Sequence, residues 1–123
     1  MKSAILDTNF ILTCVKQKID FFEFLENEGI QAIIPQEVLE EVEKVKNSKK
    51  KMHFRKDAEL AIKIIEKHEF EKISLNSKSV DNGIVKFARK NPEVIVATLD
   101  RIVKNRTRNR KILIMGKRKL DFF

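Results

Sequence analysis

The sequence predicts an α/β fold, a three-layer α/β/α sandwich around a central, mainly parallel sheet, and three observations predict it. Short continuous apolar runs recur along the chain, Ala4-Ile5-Leu6, Ala32-Ile33-Ile34, Val94-Ile95-Val96-Ala97 and Ile112-Leu113-Ile114. Runs of this length without apolar/polar alternation read as strands covered on both faces. Stretches of helical period lie between them, and strands alternating with helices make crossover connections that build a parallel sheet. Finally, the strand at the start of the chain and the one near residue 95 each lead into an acid, Asp7 and Asp100. Both carboxylates then stand at the carboxyl edge of the sheet, where open α/β folds bind ligands. Each acid would equally suit capping of the helix that follows it.

Each element has its own signal. Strand one spans Ser3 to Leu6, and Thr8 or Asn9 can cap a short helix from Phe10 to Lys16. Asp20 and Glu23 stand at capping-box spacing before a helix carrying Phe21, Phe22, Phe24 and Leu25, which Gly29 stops. Strand two is Gln31 to Ile34. Pro35 then starts a helix where its missing N–H costs least, and that helix runs to about Lys46. A lysine-rich stretch precedes a helix from about Asp57 to His68, with Leu60, Ala61, Ile64 and Ile65 on one face. Glu71 to Leu75 is a short strand, Asn76 to Ser79 a turn and Asp81 to Arg89 a helix. Strand four is Val94 to Leu99, a short helix follows Arg101, and Ile112 to Met115 is the last strand. No internal repeat is present.

The 123 residues fit one domain, 1–123, with a real core, and 42% hydrophobic with 36% charged residues excludes a disordered chain. No apolar stretch reaches membrane-spanning length and no signal-peptide pattern opens the sequence, so a cytoplasmic protein is expected. Cys14, the single cysteine, sits among Ile11, Leu12 and Val15 and reads as a buried, inert thiol. A formal net charge of +8 points to a polyanionic partner. Two runs carry only basic charges: Lys44, Lys46, Lys49, Lys50, Lys51, Arg55 and Lys56, then Arg101, Lys104, Arg106, Arg108, Arg110, Lys111, Lys117, Arg118 and Lys119. Arginine suits bidentate phosphate contacts, so the second run is a candidate phosphate clamp that Lys49, Lys50 and Lys51 would extend. The alternative is a pair of solvated loops. Neither run interleaves an apolar face of helical period, which disfavours a membrane surface.

Two further acids belong with the first pair. On the helix after Pro35, Val38, Leu39, Val42 and Val45 form the buried stripe; Glu41 and Glu43 fall on its two margins, while Glu37 and Glu40 point further into solvent. Helical geometry does not choose between Glu41 and Glu43. Asp81 opens its helix, where capping explains it as well as a site does. Four carboxylates in one cleft would repel by about 4 kcal/mol per pair at about 4 Å and an effective dielectric near 20. Such a cluster needs cations, and hard oxygen ligands select Mg²⁺ or Mn²⁺. His53 and His68 are poorly placed to work as a paired acid and base, one inside the lysine-rich run and the other near a helix end.

Taken together, Asp7-Thr8-Asn9, the stretch Pro35-Gln36-Glu37-Val38-Leu39-Glu40-Glu41-Val42-Glu43-Lys44, Val80-Asp81 with Ile84 and Ala88, and Val96-Ala97-Thr98-Leu99-Asp100-Arg101 resemble the PIN-domain ribonucleases. The resemblance spans nearly the whole chain. It looks strongest toward the small-subunit rRNA-processing PIN nucleases and their archaeal relatives, and weaker toward toxins of toxin–antitoxin pairs. It implies metal-binding, catalytic acids at Asp7, Glu41, Asp81 and Asp100, with Thr8, Asn9 and Thr98 supporting them by hydrogen bonds. Two departures stand out: no further acid closely follows Asp100, and no cysteine-rich ribbon is present. The implied activity is a Mg²⁺- or Mn²⁺-dependent endoribonuclease on structured RNA, expected to be an rRNA precursor. Ribosomal or assembly proteins and a second copy of the chain are further candidate partners. A toxin ribonuclease, a non-cleaving RNA-binding assembly factor and a phosphoacceptor receiver domain are the alternatives, the last lacking a clear phosphorylatable Asp mid-chain.

Overall fold

Strand β1 (Lys2–Leu6) is the axis of the molecule, because Ala4, Ile5 and Leu6 are fully buried and must be covered on both faces and both edges. In this computed structural model, which describes residues 2–116 and 118–123, it pairs in parallel with β2 (Ile30–Pro35) on one side and β4 (Ile95–Ala97) on the other. Ala4 stands opposite both Ala32 and Ile95. β3 (Glu71–Ile73) joins β2 in parallel, β5 (Lys111–Ile114) joins β4 in parallel, and β6 (Leu120–Phe122) closes the far edge antiparallel. The described residues thus form a six-stranded sheet ordered β3-β2-β1-β4-β5-β6.

The chain walks outward from β1 to β3, then returns to the other side of β1. Right-handed crossovers in opposite directions place their helices on opposite faces. On one face, α1 (Thr8–Lys16), α3 (Gln36–Lys46) and α4 (Met52–Glu66) pack together, with α2 (Phe21–Asn27) against β2. On the other, α5 (Val80–Lys90) packs against α6 (Arg101–Arg106). This is the expected three-layer α/β/α sandwich. Phe10 and Phe21 meet edge to face at 6.4 Å in its core, and Asp20 caps α2 through Glu23 N–H at 2.9 Å.

The differences from the sequence-based expectation are local. α1 begins at Thr8 rather than Phe10 and is capped by Asp7, not by Thr8 or Asn9. Pro35 is the last residue of β2 and the cap position of α3, so the helix begins at Gln36, one place after the expected start. α4 begins at Met52, five residues before Asp57, so the lysine-rich stretch is partly helix. Its basic first turns oppose the helix dipole, and nothing local marks that start. β4 ends at Ala97, because the Thr98 hydroxyl takes the Asp100 N–H at 3.0 Å and turns the chain out of the ladder. β6 is an addition to the expected strands: three residues, one of them buried, give no periodic signal. Lys117 of the second basic run lies outside the described residues.

The loop before α5 is held from two sides. Glu37, expected to face solvent, instead accepts from the Leu75 and Asn76 N–H groups at 3.0 and 3.1 Å and from the Ser74 hydroxyl at 3.3 Å. Those hydrogen bonds lower its pKa and tie the loop to α3. The other side of the loop sits against Gly83, where an added Cβ would come within 2.8 Å of Leu75 Cβ and 3.1 Å of Ser77 Cβ. We therefore predict that Gly83→Ala, although helix propensity alone would favour it by about 1 kcal/mol, destabilises the protein by about 1–3 kcal/mol through overpacking. Urea denaturation checks this; an unchanged or higher midpoint would contradict it.

Candidate active site

The sheet reverses direction between β1 and β4, and the crevice at their carboxyl ends is where such folds bind ligands. Asp7 leaves β1 there, 3% exposed. Its Oδ1 accepts from Thr8 N–H at 2.7 Å, its Oδ2 from the Thr98 hydroxyl at 2.7 Å, and its own N–H donates to Ala97 O at 3.0 Å. The buried Thr98 hydroxyl thus donates to Asp7 while accepting from the Asp100 backbone, linking the ends of the two strands. Asp100 caps α6, its Oδ1 accepting from Ile102 and Val103 N–H at 2.8 and 3.1 Å. Capping and site membership do not compete, since an ionised carboxylate has about four acceptor positions.

α3 delivers the third acid from one face. The Thr8 hydroxyl donates to Glu41 Oε1 at 2.5 Å, while Glu43 is exposed. That bond sets Glu41, rather than Glu43, beside Thr8 at this edge. α5 delivers Asp81 from the other face; its cap is Ser79, whose Oγ accepts from Asn82 N–H at 3.3 Å, so Asp81 is not a capping residue. The four acids share one field. Asp81 is raised to about 6, first by partial burial, then by the charges of Asp7 and Asp100, its hydrogen bond with Asp100 and the charge of Glu41. Asp7 is also raised, by burial against the opposing hydrogen bonds of Thr98 and Thr8, with the charges of Glu41 and Asp100 adding to burial.

Among the described residues no three His, Cys, Asp or Glu side chains are drawn close enough to enclose an ion as they stand. The carboxylates line an edge rather than form a closed cage. The only ion pair within 4 Å among the described residues is Lys63–Glu59 at 3.5 Å, so none of the four acids has a fixed cationic partner there. An all-carboxylate set in which Asp7 and Asp81 hold raised pKa values fits a hard divalent cation.

The arginine-rich segment runs from this edge toward the amino end of β4, and of its arginines the Arg106 head turns back toward the acids. Arg106 donates from Nη1 to Asn82 Oδ1 at 2.8 Å, one residue from Asp81, and its carbonyl accepts from Arg89 Nε at 2.9 Å. Arg89, Arg106 and Arg108 line a cleft of about 550 Å³. Arg101 is exposed at the start of α6, Lys104 is half-buried, and exposed Arg110 lies 4.1 Å over the Phe122 ring. Lys111, expected to contact RNA, is a correction. It is 6% exposed, and its ammonium donates inward to Thr107 O at 3.0 Å and to Asn109 O, with burial lowering its pKa. From 107 to 111 buried and exposed residues alternate, with Thr107, Asn109 and Lys111 inward and Arg108 and Arg110 outward.

Lys49, Lys50 and Lys51 are exposed between α3 and α4, on the opposite face of the sheet from the arginines. Asn9 is exposed in the first turn of α1 and makes no side-chain hydrogen bond among the described residues. His68 stacks on Phe22 at 4.2 Å with Nδ1 2.7 Å from Ile64 O, a packing role. Cys14 is fully buried, and burial pushes its thiol to about 12, leaving it inert. Sequence reasoning missed Arg89 and Asn82 as neighbours of the arginine run, because only the α5–α6 packing brings them there.

The sequence profile of the PIN-like domain family matches residues 4–119, and the chain belongs to that family. It is 28% identical over 127 aligned positions to ribonuclease VapC4 of Methanocaldococcus jannaschii, covering 100% of this chain and 95% of that protein. The solved structure of the PIN domain endonuclease Utp24 matches with a TM-score of 0.77 and 27% identity, over 98% of this chain and 90% of that one. The chain is therefore of a nuclease fold family. No helix among the described residues is long and apolar enough to cross a membrane.

A pH dependence follows from Asp81. Its folded-state pKa stands above the ordinary 3.8, so protonation favours the folded state. The stability it contributes is fully present below about pH 4 and is lost as pH rises through about 6. In ion-free buffer the thermal midpoint should fall across that window, and Asp81→Asn should flatten the fall. Melting curves at several pH values check this; identical slopes for both proteins would remove Asp81 from the cluster.

Proposed function

We propose that the protein is a Mg²⁺- or Mn²⁺-dependent endoribonuclease acting on structured RNA, with an rRNA precursor as the substrate and residues 1–123 as one cytoplasmic nuclease unit. The observation that carries this reading is the convergence of Asp7, Glu41, Asp81 and Asp100 on the edge where the strand order reverses, with Arg106 reaching toward it. A divalent cation bound by these carboxylates would acidify the attacking water and offset the charge that develops on the phosphate.

The chain's own residues supply position. Asp7 is the firmest ligand of the set, since Thr8 N–H and the Thr98 hydroxyl fix both its oxygens. Thr8 also orients Glu41, so one residue sets two acids. Arg89, Arg106 and Arg108 would grip phosphates further along the strand, away from the cleaved bond. With few internal ion pairs among the described residues, the net charge of +8 is available for such contacts. Histidine and cysteine nucleophiles are not needed, and His53, His68 and Cys14 lie in other surroundings.

A toxin ribonuclease is the second reading, kept because the sequence identity to ribonuclease VapC4 is as high as that to the endonuclease Utp24. An antitoxin gene beside this one would favour it.

In a cleavage assay on total and ribosomal RNA, Asp7→Asn, Asp81→Asn, Asp100→Asn and Glu41→Gln should each abolish divalent-dependent activity, whereas Glu43→Gln should not. Thr98→Val, which removes a hydrogen bond to a ligand rather than a ligand, should cost about 10–100-fold. Full activity in any of the four acid variants would take that residue out of the site; intact RNA binding with no cleavage by the wild type would make this an assembly factor. Replacing Arg89, Arg106 and Arg108 with Ala should weaken RNA binding for unrelated sequences alike and flatten the salt dependence by about 0.7 per lost phosphate contact on single strands. Filter retention at several salt concentrations checks it, and an unchanged slope would show these arginines to be a solvated surface.

A further inference from the structure

The acidic edge leaves one unusual patch unexplained. α4 opens with Met52, His53 and Phe54, all exposed, inside the most lysine-rich stretch of the chain. Phe54 leaves 41% of its surface open, and the His53 ring lies 4.1 Å from it at 41°. Scattered surface apolar residues need no explanation, but Phe54 is a wall of a cleft of about 270 Å³ between α1, α3 and α4. Its lining includes Asn9, Leu12, Lys16, Lys50 and Asp57, two cations against one acid. Asn9 follows Asp7 by two residues in the first turn of α1, so the cleft opens next to the acidic edge.

An aromatic face flanked by lysines is how proteins hold single-stranded nucleic acid: cations track the phosphates while bases stack on the ring. A duplex cannot use such a face, because its bases are already stacked on one another. We propose that this cleft is a subsite for an unpaired stretch of RNA entering the acidic edge, with one base against Phe54 and Lys16 and Lys50 on adjacent phosphates. The α4 face would then choose unpaired RNA while the arginines of α5 and α6 hold the strand on the other side of the sheet.

The proposal rests on reading the protein as a ribonuclease, so its test uses binding and needs no cleavage. The full chain is titrated in EDTA against a short single-stranded oligonucleotide carrying 2-aminopurine, and against an RNA duplex of equal length. Stacking on Phe54 should quench the fluorophore. Phe54→Ala should weaken single-strand binding about tenfold, within the span known for one stacked base, and remove the quench while leaving duplex binding unchanged. Phe54→Trp should restore both, and replacing Lys16 and Lys50 with Ala should flatten the single-strand salt slope by about 1.4. Unchanged single-strand binding by Phe54→Ala, or equal losses for single strand and duplex with an unchanged melting temperature, would overturn the subsite. No binding of RNA by the wild type would overturn it together with the RNA reading. Preserved Phe54-dependent binding in a protein that cleaves nothing would sink the nuclease reading alone.

Discussion

The parallel pairing of β1 with β2 on one side and β4 on the other is the constraint from which the acidic site follows. It sets residues 7 and 100 side by side although 93 positions separate them in the chain, and the Thr98 hydroxyl closes that gap with one hydrogen bond to each end. α3 and α5 then start from the same edge on opposite faces, which brings Glu41 and Asp81 to it. Repulsion among these acids is a standing cost that the hydrophobic core bears, with Ala4, Ile5, Leu6, Ile33, Ile34 and Val96 at most 3% exposed around them. Site and core occupy the same two strands, so the site is only as rigid as the middle of the sheet.

Much of this is legible in the sequence because the signals are local. Asp7 and Asp100 each follow an apolar run, and Asp81 opens a helix with strong apolar periodicity, so a reader meets each acid where an element ends or begins. Glu41 is not separable from Glu43 by pattern, because both sit on margins of the same stripe and the deciding contact comes from Thr8, 33 residues away. The tie that Glu37 makes to the loop before α5 is hidden for the same reason: its partners lie 37 to 39 residues along the chain. Short elements also escape. β6 spans three residues, and the early start of α4 hides in lysines that carry helix propensity but no pattern.

Charge is the other partial signal. A run of one sign says that a polyanion is favoured, but it does not say which side chains reach it. Counting sign alone puts Lys111 on the surface, whereas the alternation through Thr107, Arg108, Asn109, Arg110 and Lys111 turns it inward. Topology then divides the two basic runs between opposite faces of the sheet, so they form two separate surfaces.

The buried partners in that alternating segment have a thermodynamic meaning. The Asn109 amide donates to the carbonyls of Ala88, Asn91 and Val94, the Lys111 ammonium donates to two more, and the Thr107 hydroxyl holds Val103 O at 2.9 Å. The backbone carrying Arg108 and Arg110 is thereby immobilised before any polyanion arrives. Association with such a loop orders side chains only, and each long side chain stilled costs about 0.5–1.5 kcal/mol, whereas a floppy connection would add the entropy of its main chain. A lysine turned inward therefore lowers the entropic cost of any contact made by Arg108 and Arg110, which both project from the opposite, outward face.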